Sequence, residues 1–201
     1  MKKLVLRLLA IGFLLHASAR PASAVYVLTV AQIDNNVVCN GSGTLNLGTL
    51  TLAGTTSVNT VIYPSAASAY VGALSSQASY YNGAITGPTS FGSGNYTFAT
   101  SGTGAFAGIF GAANSNFGTG NRVFVPVGYV SGTFMAGTAT YNNATFASLG
   151  FTAGTYVYTF PSGDTFTVTS AVPEPSTWAM LGVGAVGAGV VVLRRRQIIK
   201  G

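Results

Sequence analysis

Apolar and β-branched residues recur along the middle of the chain in short runs separated by Gly, Asn, Ser and Pro. Between Val25 and Val172 no stretch sustains a helical period. Residues 25–30 predict a first strand. Residues 44–52 predict a second, with Leu45, Leu47 and either Leu50 or Leu52 inward, and residues 58–63 a third that Pro64 stops. Residues 65–74 are open between strand and short helix because of their alanines. Residues 96–100 and 104–110 predict a hairpin across Ser101-Gly102-Thr103. Residues 122–125 and 129–134 predict strands flanking Pro126-Val127-Gly128, and residues 138–141 add another. The plainest pattern comes last. Tyr156, Tyr158 and Phe160 alternate with Val157 and Thr159, Pro161-Ser162-Gly163-Asp164 supplies turn chemistry, and residues 165–170 follow with Phe166 and Val168 on one face, which predicts a hairpin. Residues 145–149, closed by Gly150, predict a single helical turn with Phe146 and Leu149 inward. The fold class expected is all-β: a Gly/Ser/Thr-rich β-sandwich of roughly eight to ten strands. A β-solenoid is the alternative, weakened by the lack of a fixed period of about 20 residues.

The two ends are patterned differently. Met1-Lys2-Lys3, an apolar run over 8–15 and Ala22-Ser23-Ala24 follow the order of a secretory signal peptide: positive start, apolar middle, small-x-small cleavage site. Cleavage is expected after Ala24, with Ala22 and Ala24 as the small residues. Ala17-Ser18-Ala19 is a competing site, made less attractive by Arg20-Pro21 directly behind it. The predicted organisation is a signal peptide over 1–24, an exported all-β domain over 25–172 and a C-terminal signal over 173–201. In that last part Pro173-Glu174-Pro175 precedes an uncharged stretch over about 176–193, and Arg194-Arg195-Arg196 follows. At about 1.5 Å per helical residue the stretch barely crosses a bilayer core of roughly 30 Å, as a single C-terminal transmembrane helix. Trp178 suits the outer interface, and the arginines form a basic anchor on the cytoplasmic side. Gly184, Ala185, Ala188 and Gly189 would let another helix approach closely.

Tripeptide, apolar helix and terminal Arg cluster together resemble the PEP-CTERM sorting signal, here with a slightly long ending, Gln197-Ile198-Ile199-Lys200-Gly201. The resemblance implies recognition and processing by an exosortase, a membrane-embedded enzyme of Gram-negative bacteria that make exopolysaccharide or biofilm matrix. Residues 86–94, 139–150 and 154–157 also resemble stretches of a group of PEP-CTERM proteins, from which no activity and no catalytic residue carry over.

Charge narrows the functional classes. Only 6% of residues are charged, against roughly 25% in an ordinary soluble chain. The net charge of +6 belongs to the ends: Lys2, Lys3, Arg7 and Arg20 at the start, Arg194, Arg195, Arg196 and Lys200 at the finish. Between Val25 and Val172 only Asp34, Arg122 and Asp164 are charged, so no basic patch exists to neutralise phosphates and a nucleic-acid partner is not expected.

Catalytic side chains are equally scarce. The single histidine, His16, lies in the predicted signal peptide, and the single glutamate, Glu174, in the tag. No catalytic residue, no cofactor and no metal site is expected. Asp34 and Asp164 are read as hydrogen-bonded turn residues; a glycosidase pair made of them, or calcium held by Asp34, Asn35 and Asn36, is the lesser reading. Cys39, the only cysteine, can form no intrachain disulfide and reads as a small buried hydrophobe. Ten tyrosines suggest a sugar-binding face, for which Tyr80, Tyr81, Tyr156 and Tyr158 are the candidate glycan contacts, although strand tyrosines are more often packing. The expected function is an exported cell-surface or extracellular-matrix protein, not an enzyme. Its expected route runs through the Sec translocon, signal peptidase and an exosortase. It would be held transiently in the inner membrane and then reach the periplasm, outer envelope or matrix, where exopolysaccharide is the expected partner. A glycan-binding adhesin is the alternative.

Overall fold

Along β1 (Val25–Ile33) Tyr26, Leu28 and Val30 are buried, while Val25, Val27 and Thr29 between them are not. That is the period of a strand with one face on a core. The structure is a computed structural model that describes residues 23–111 and 120–171. The predicted signal peptide up to Ala22, the tripeptide Pro173-Glu174-Pro175, the apolar span and Arg194-Arg195-Arg196 lie outside the described residues.

After β1 come β2 (Asn36–Gly43), β3 (Thr51–Asn59), β4 (Val61–Tyr63), β5 (Ser68–Val71), β6 (Ser75–Asn82), β7 (Thr97–Phe98), β8 (Ser101–Gly104), β9 (Ala107–Phe110), β10 (Arg122–Pro126), β11 (Met135–Tyr141), the helical turn α1 (Phe146–Leu149), β12 (Thr155–Thr159) and β13 (Thr165–Ala171). Among the described residues they form a six-stranded sheet, β12-β13-β1-β2-β11-β8, and a seven-stranded sheet, β3-β6-β10-β9-β5-β4-β7. Tyr26, Leu28, Val30 and Cys39 of the first sheet share one core with Val71, Ile109, Val123 and Val125 of the second. The architecture is the predicted all-β sandwich.

The first and last strands pair in parallel, from Val25 opposite Thr165 to Ala31 opposite Ala171. β1 therefore starts at one pole of the sandwich and β13 ends at the other. At the seam between the sheets backbones touch. Gly72 N–H donates to Thr138 O (3.0 Å) and Ala105 N–H to Ala136 O (2.8 Å). A Cβ on Gly137 would lie 2.3 Å from Ala105 O and 3.0 Å from Gly72 Cα.

The second sheet curls. Thr60 alone joins β3 to β4, and residues 72–74 alone join β5 to β6, yet β10 and β9 lie between β6 and β5. The long hairpin 51–82 thus folds over at Thr60, whose Oγ1 donates to Ala73 O (2.8 Å). Inside the bend sits a smaller core of Val61, Tyr70, Ala78, Phe106, Phe110 and Phe124.

The predicted hairpin over 156–170 forms as β12 and β13, with Phe166 and Val168 buried. The predicted helical turn forms too: Thr145 Oγ1 accepts from Ser148 N–H (3.0 Å), and Gly150 closes it in the left-handed region at φ 59°. Elsewhere the structure corrects the pattern. Leu45 and Leu47 are buried but lie in a loop, because their amides donate to Tyr129 Oη and Ser131 Oγ (both 2.9 Å) in place of a neighbouring strand. Residues 129–134 are that partner loop and not a strand. The predicted strand over 58–63 is broken by the fold at Thr60. The open stretch 65–74 becomes a 3-10 turn, Pro64–Ala66, followed by β5. Residues 96–110 make no hairpin: β7 pairs with β4, β8 with β11, and β9 with β5 and β10. β2 and β6 were not predicted at all.

Replacing Gly137 by Val puts a branched side chain against two backbones that cannot withdraw. Overpacking of this kind costs about 1–3 kcal/mol or more. Gly137→Val is expected to lower the melting temperature by several degrees or to abolish folding, whereas Ala136→Val, on the exposed side of the same strand, leaves the melting temperature nearly unchanged.

Candidate functional site

The sequence places the sorting signal immediately beyond β13, and the structure shows how the domain is held there. Ser170 N–H donates to Gly154 O (2.9 Å) and Gly154 N–H to Ser170 Oγ (2.7 Å), so pairing continues to Ser170, three positions before Pro173 in the sequence. At the other pole Ala24, one of the two predicted cleavage residues, is bound into the turn before β13; Ala22 lies outside the described residues. Among the described residues no helix is long and apolar enough to cross a membrane.

Asp164 makes the turn at that pole. It is 4% exposed. Its Oδ1 accepts from Ala24 N–H (2.8 Å) and Ser23 Oγ (3.2 Å), and its Oδ2 from Ser162 Oγ (2.9 Å). Asp34 sits in the exposed β1–β2 turn with φ 53°. It is a full strand length from Asp164, roughly 25 Å at 3.3 Å per residue. The two carboxylates do not meet, whereas a glycosidase pair stands within about 10 Å. Asn36, one of the conceivable calcium ligands, uses its Oδ1 to accept from Asn143 N–H (3.1 Å). No group of three His, Cys, Asp or Glu side chains comes together among the described residues.

Cys39 faces the core beside Tyr141, and burial pushes its thiol up to about 12. Arg122, which sequence reasoning left without a role, is 2% exposed on the same face of β10 as Phe124, and its Nε donates to Asn82 Oδ1 (2.8 Å). The middle of the chain therefore shows solvent almost no charge.

The tyrosines expected to touch sugar form no common exposed face, although Tyr156 and Tyr158 both pack on Phe91. Tyr80 turns toward the small core and stacks on Phe124 with ring centroids 5.6 Å apart, while Tyr81, one position on, packs on the main core. Tyr158 has 0% exposure and donates to Ala67 O (3.1 Å) and Pro88 O (3.0 Å). That takes it out of any surface platform, because its ring is a core ring and its hydroxyl a crosslink to the other sheet. Tyr156 is half-buried against Phe91 (4.7 Å) and donates to Thr152 O (2.7 Å). The exposed rings lie elsewhere. Tyr96 contacts Tyr63 (4.5 Å) and Phe98 (5.9 Å), and Tyr96 and Phe98 are about half exposed at the β4–β7 edge. Sequence reasoning missed this trio because β7 is two residues long and Tyr63 is distant in the chain. A second apolar feature is the loop 127–134, whose Val130 (69%) and Phe134 (68%) project while Tyr129 Oη pins its base to Thr133 O (2.7 Å) and Leu45 O (3.1 Å).

Comparison with known families finds one region. Residues 171–196 match the PEP-CTERM protein-sorting motif. The match begins on the last residue of β13 and ends on Arg196, so it spans the tripeptide, the apolar stretch and the Arg cluster that carried the resemblance. No curated protein and no solved structure matches the chain.

The buried hydroxyls and thiol give the domain a defined response to alkali. Cys39 moves from its ordinary 9.0 to about 12, and burial also raises Tyr26, Tyr70, Tyr141 and Tyr158. The unfolded chain releases these protons at lower pH than the folded one, so the stability they contribute is complete below about pH 9 and is lost as pH rises toward 12. Thermal melts are expected to show a melting temperature that declines only above about pH 9. A thiol reagent at pH 8 should leave Cys39 unmodified in the native protein and label it fully in denaturant.

Proposed function

We propose that this chain, an exported protein carrying a PEP-CTERM signal for sorting by an exosortase, is a non-catalytic structural component of the cell surface or extracellular matrix, associated with exopolysaccharide or biofilm. In this reading the two ends are addresses and the sandwich is cargo. A signal peptide starts Sec export and is removed by signal peptidase. The C-terminal helix then holds the folded domain at the outer side of the inner membrane, and processing near Pro173-Glu174-Pro175 releases or transfers it. The observation that carries this reading is the position of the matched motif, which begins where β13 ends, so that the tag is presented by the last hydrogen-bonded strand. The body supports a structural role. Asp34 and Asp164 stand at opposite poles, Cys39 is sealed in the core, and Arg122 and Asp164 are buried. A surface with so little charge neither repels nor steers a polysaccharide electrostatically.

A glycan-binding adhesin is the second reading, and the ring cluster in which Tyr96 and Phe98 are about half exposed beside Tyr63 favours it, since aromatic faces stack on the apolar faces of sugars. If the adhesin reading holds, a glycan array will show saturable binding that Tyr96→Ala weakens at least tenfold and Tyr156→Ala leaves unchanged.

The sorting proposal is tested in the host. In cells lacking the exosortase, or with Pro173 and Glu174 both replaced by Ala, the protein is expected to stay in the membrane fraction with its C-terminal peptide intact. In wild-type cells that peptide should be absent from the mature protein. Identical C-termini in the two strains would contradict the proposal.

A further inference from the structure

Ser23 and Ala24 fall inside the segment that the sequence pattern would discard, yet both are built into the sandwich. Ala24 N–H donates to Asp164 Oδ1 (2.8 Å), and Ala24 O accepts from Thr165 N–H (3.2 Å), the rung ahead of the β1–β13 ladder. Ser23 Oγ donates to Asp164 Oδ1 (3.2 Å) and Gly163 O (2.9 Å). Asp164 is buried, and among the described residues these are the donors to its Oδ1; Ser162 serves Oδ2. Cutting after Ala24 would strip both donors from Asp164, a carboxylate 4% exposed while they are in place, and losing one side of such a hydrogen bond is the costly half of breaking it.

A new ammonium on Val25 would not replace them. The N–H and C=O of a strand residue face the same edge. Val25 O accepts from Thr44 N–H (3.1 Å) on the β2 side, so the Val25 nitrogen looks away from β13 and Asp164.

The structure assigns Ser23 and Ala24 to the mature domain and moves the signal-peptidase site upstream, to the bond after Ala19 in Ala17-Ser18-Ala19. The leader then ends at the competing small-x-small site, and Asp164 clamps the start of β1 in the exported protein. The assignment rests on the export reading above.

Leucine at the residue before the cut blocks signal peptidase, which needs a small side chain there, and leaves the Ala24 backbone donor in place. The test is the intact mass and N-terminal peptide of the wild-type protein, Ala19→Leu and Ala24→Leu, each recovered as the full chain from the exporting host. Wild type and Ala24→Leu should both begin at Arg20, and Ala19→Leu should keep its leader. A wild-type protein beginning at Val25, with Ala24→Leu keeping its leader, would overturn the assignment and leave export intact. A wild-type protein that keeps Met1 would overturn the export reading, and the assignment with it.

Discussion

The parallel pairing of the first and last strands is the constraint on which the rest depends. β1 lies inside its sheet with β2 on one edge and β13 on the other. Until β13 is available, Tyr26, Leu28 and Val30 cover a core that lacks Phe166 and Val168. The ring of Tyr26, stacked 4.9 Å from Phe166, lacks its partner. A parallel pair between the ends of a chain is the least local contact a domain can make, and its loop-closure entropy is met last. The domain can therefore complete its fold only when the residues just ahead of the sorting tag have emerged.

That order suits a protein whose sorting motif begins on its last strand. Parallel strands put the entry of β1 and the exit of β13 at opposite poles. Asp164 ties the entry side through Ser23 and Ala24, and the Ser170–Gly154 bonds tie the exit side. The projecting loop with Val130 and Phe134 follows β10 and leads into Met135, which pairs with Gly43 at the entry pole. It is thus carried on the pole opposite the exit of β13.

How much of this the sequence disclosed depended on who supplies each residue's partner. The β12–β13 hairpin and α1 were legible because Tyr158, Phe166 and Val168 alternate, and Thr145, Ser148 and Gly150 cap a turn with their own atoms. β2 was not, because three of its four alternate outward positions are Asn36, Asn40 and Ser42 and its inward Gly41 is small for a distant reason: a Cβ there would meet Tyr26 Oη at 2.4 Å and Val71 Cγ2 at 2.7 Å. Leu45 and Leu47 imitated a strand because hydroxyls of Tyr129 and Ser131, far along the chain, satisfy their amides. The sorting tag was fully legible, since its chemistry is local and linear. The ring trio was not, since Tyr63, Tyr96 and Phe98 meet only after the long hairpin has bent at Thr60.

The most direct test uses the register of the parallel pair. Thr29 lies opposite Thr169 on the outer face, at a strand spacing of about 4.8 Å that a disulfide can bridge. Cys39 is too buried to interfere. In exported protein carrying Thr29→Cys and Thr169→Cys, near-complete disulfide formation is expected, with little in the Thr29→Cys, Ser170→Cys pair, whose side chains point to opposite faces. Equal crosslinking in both pairs, or none in the first, would contradict it.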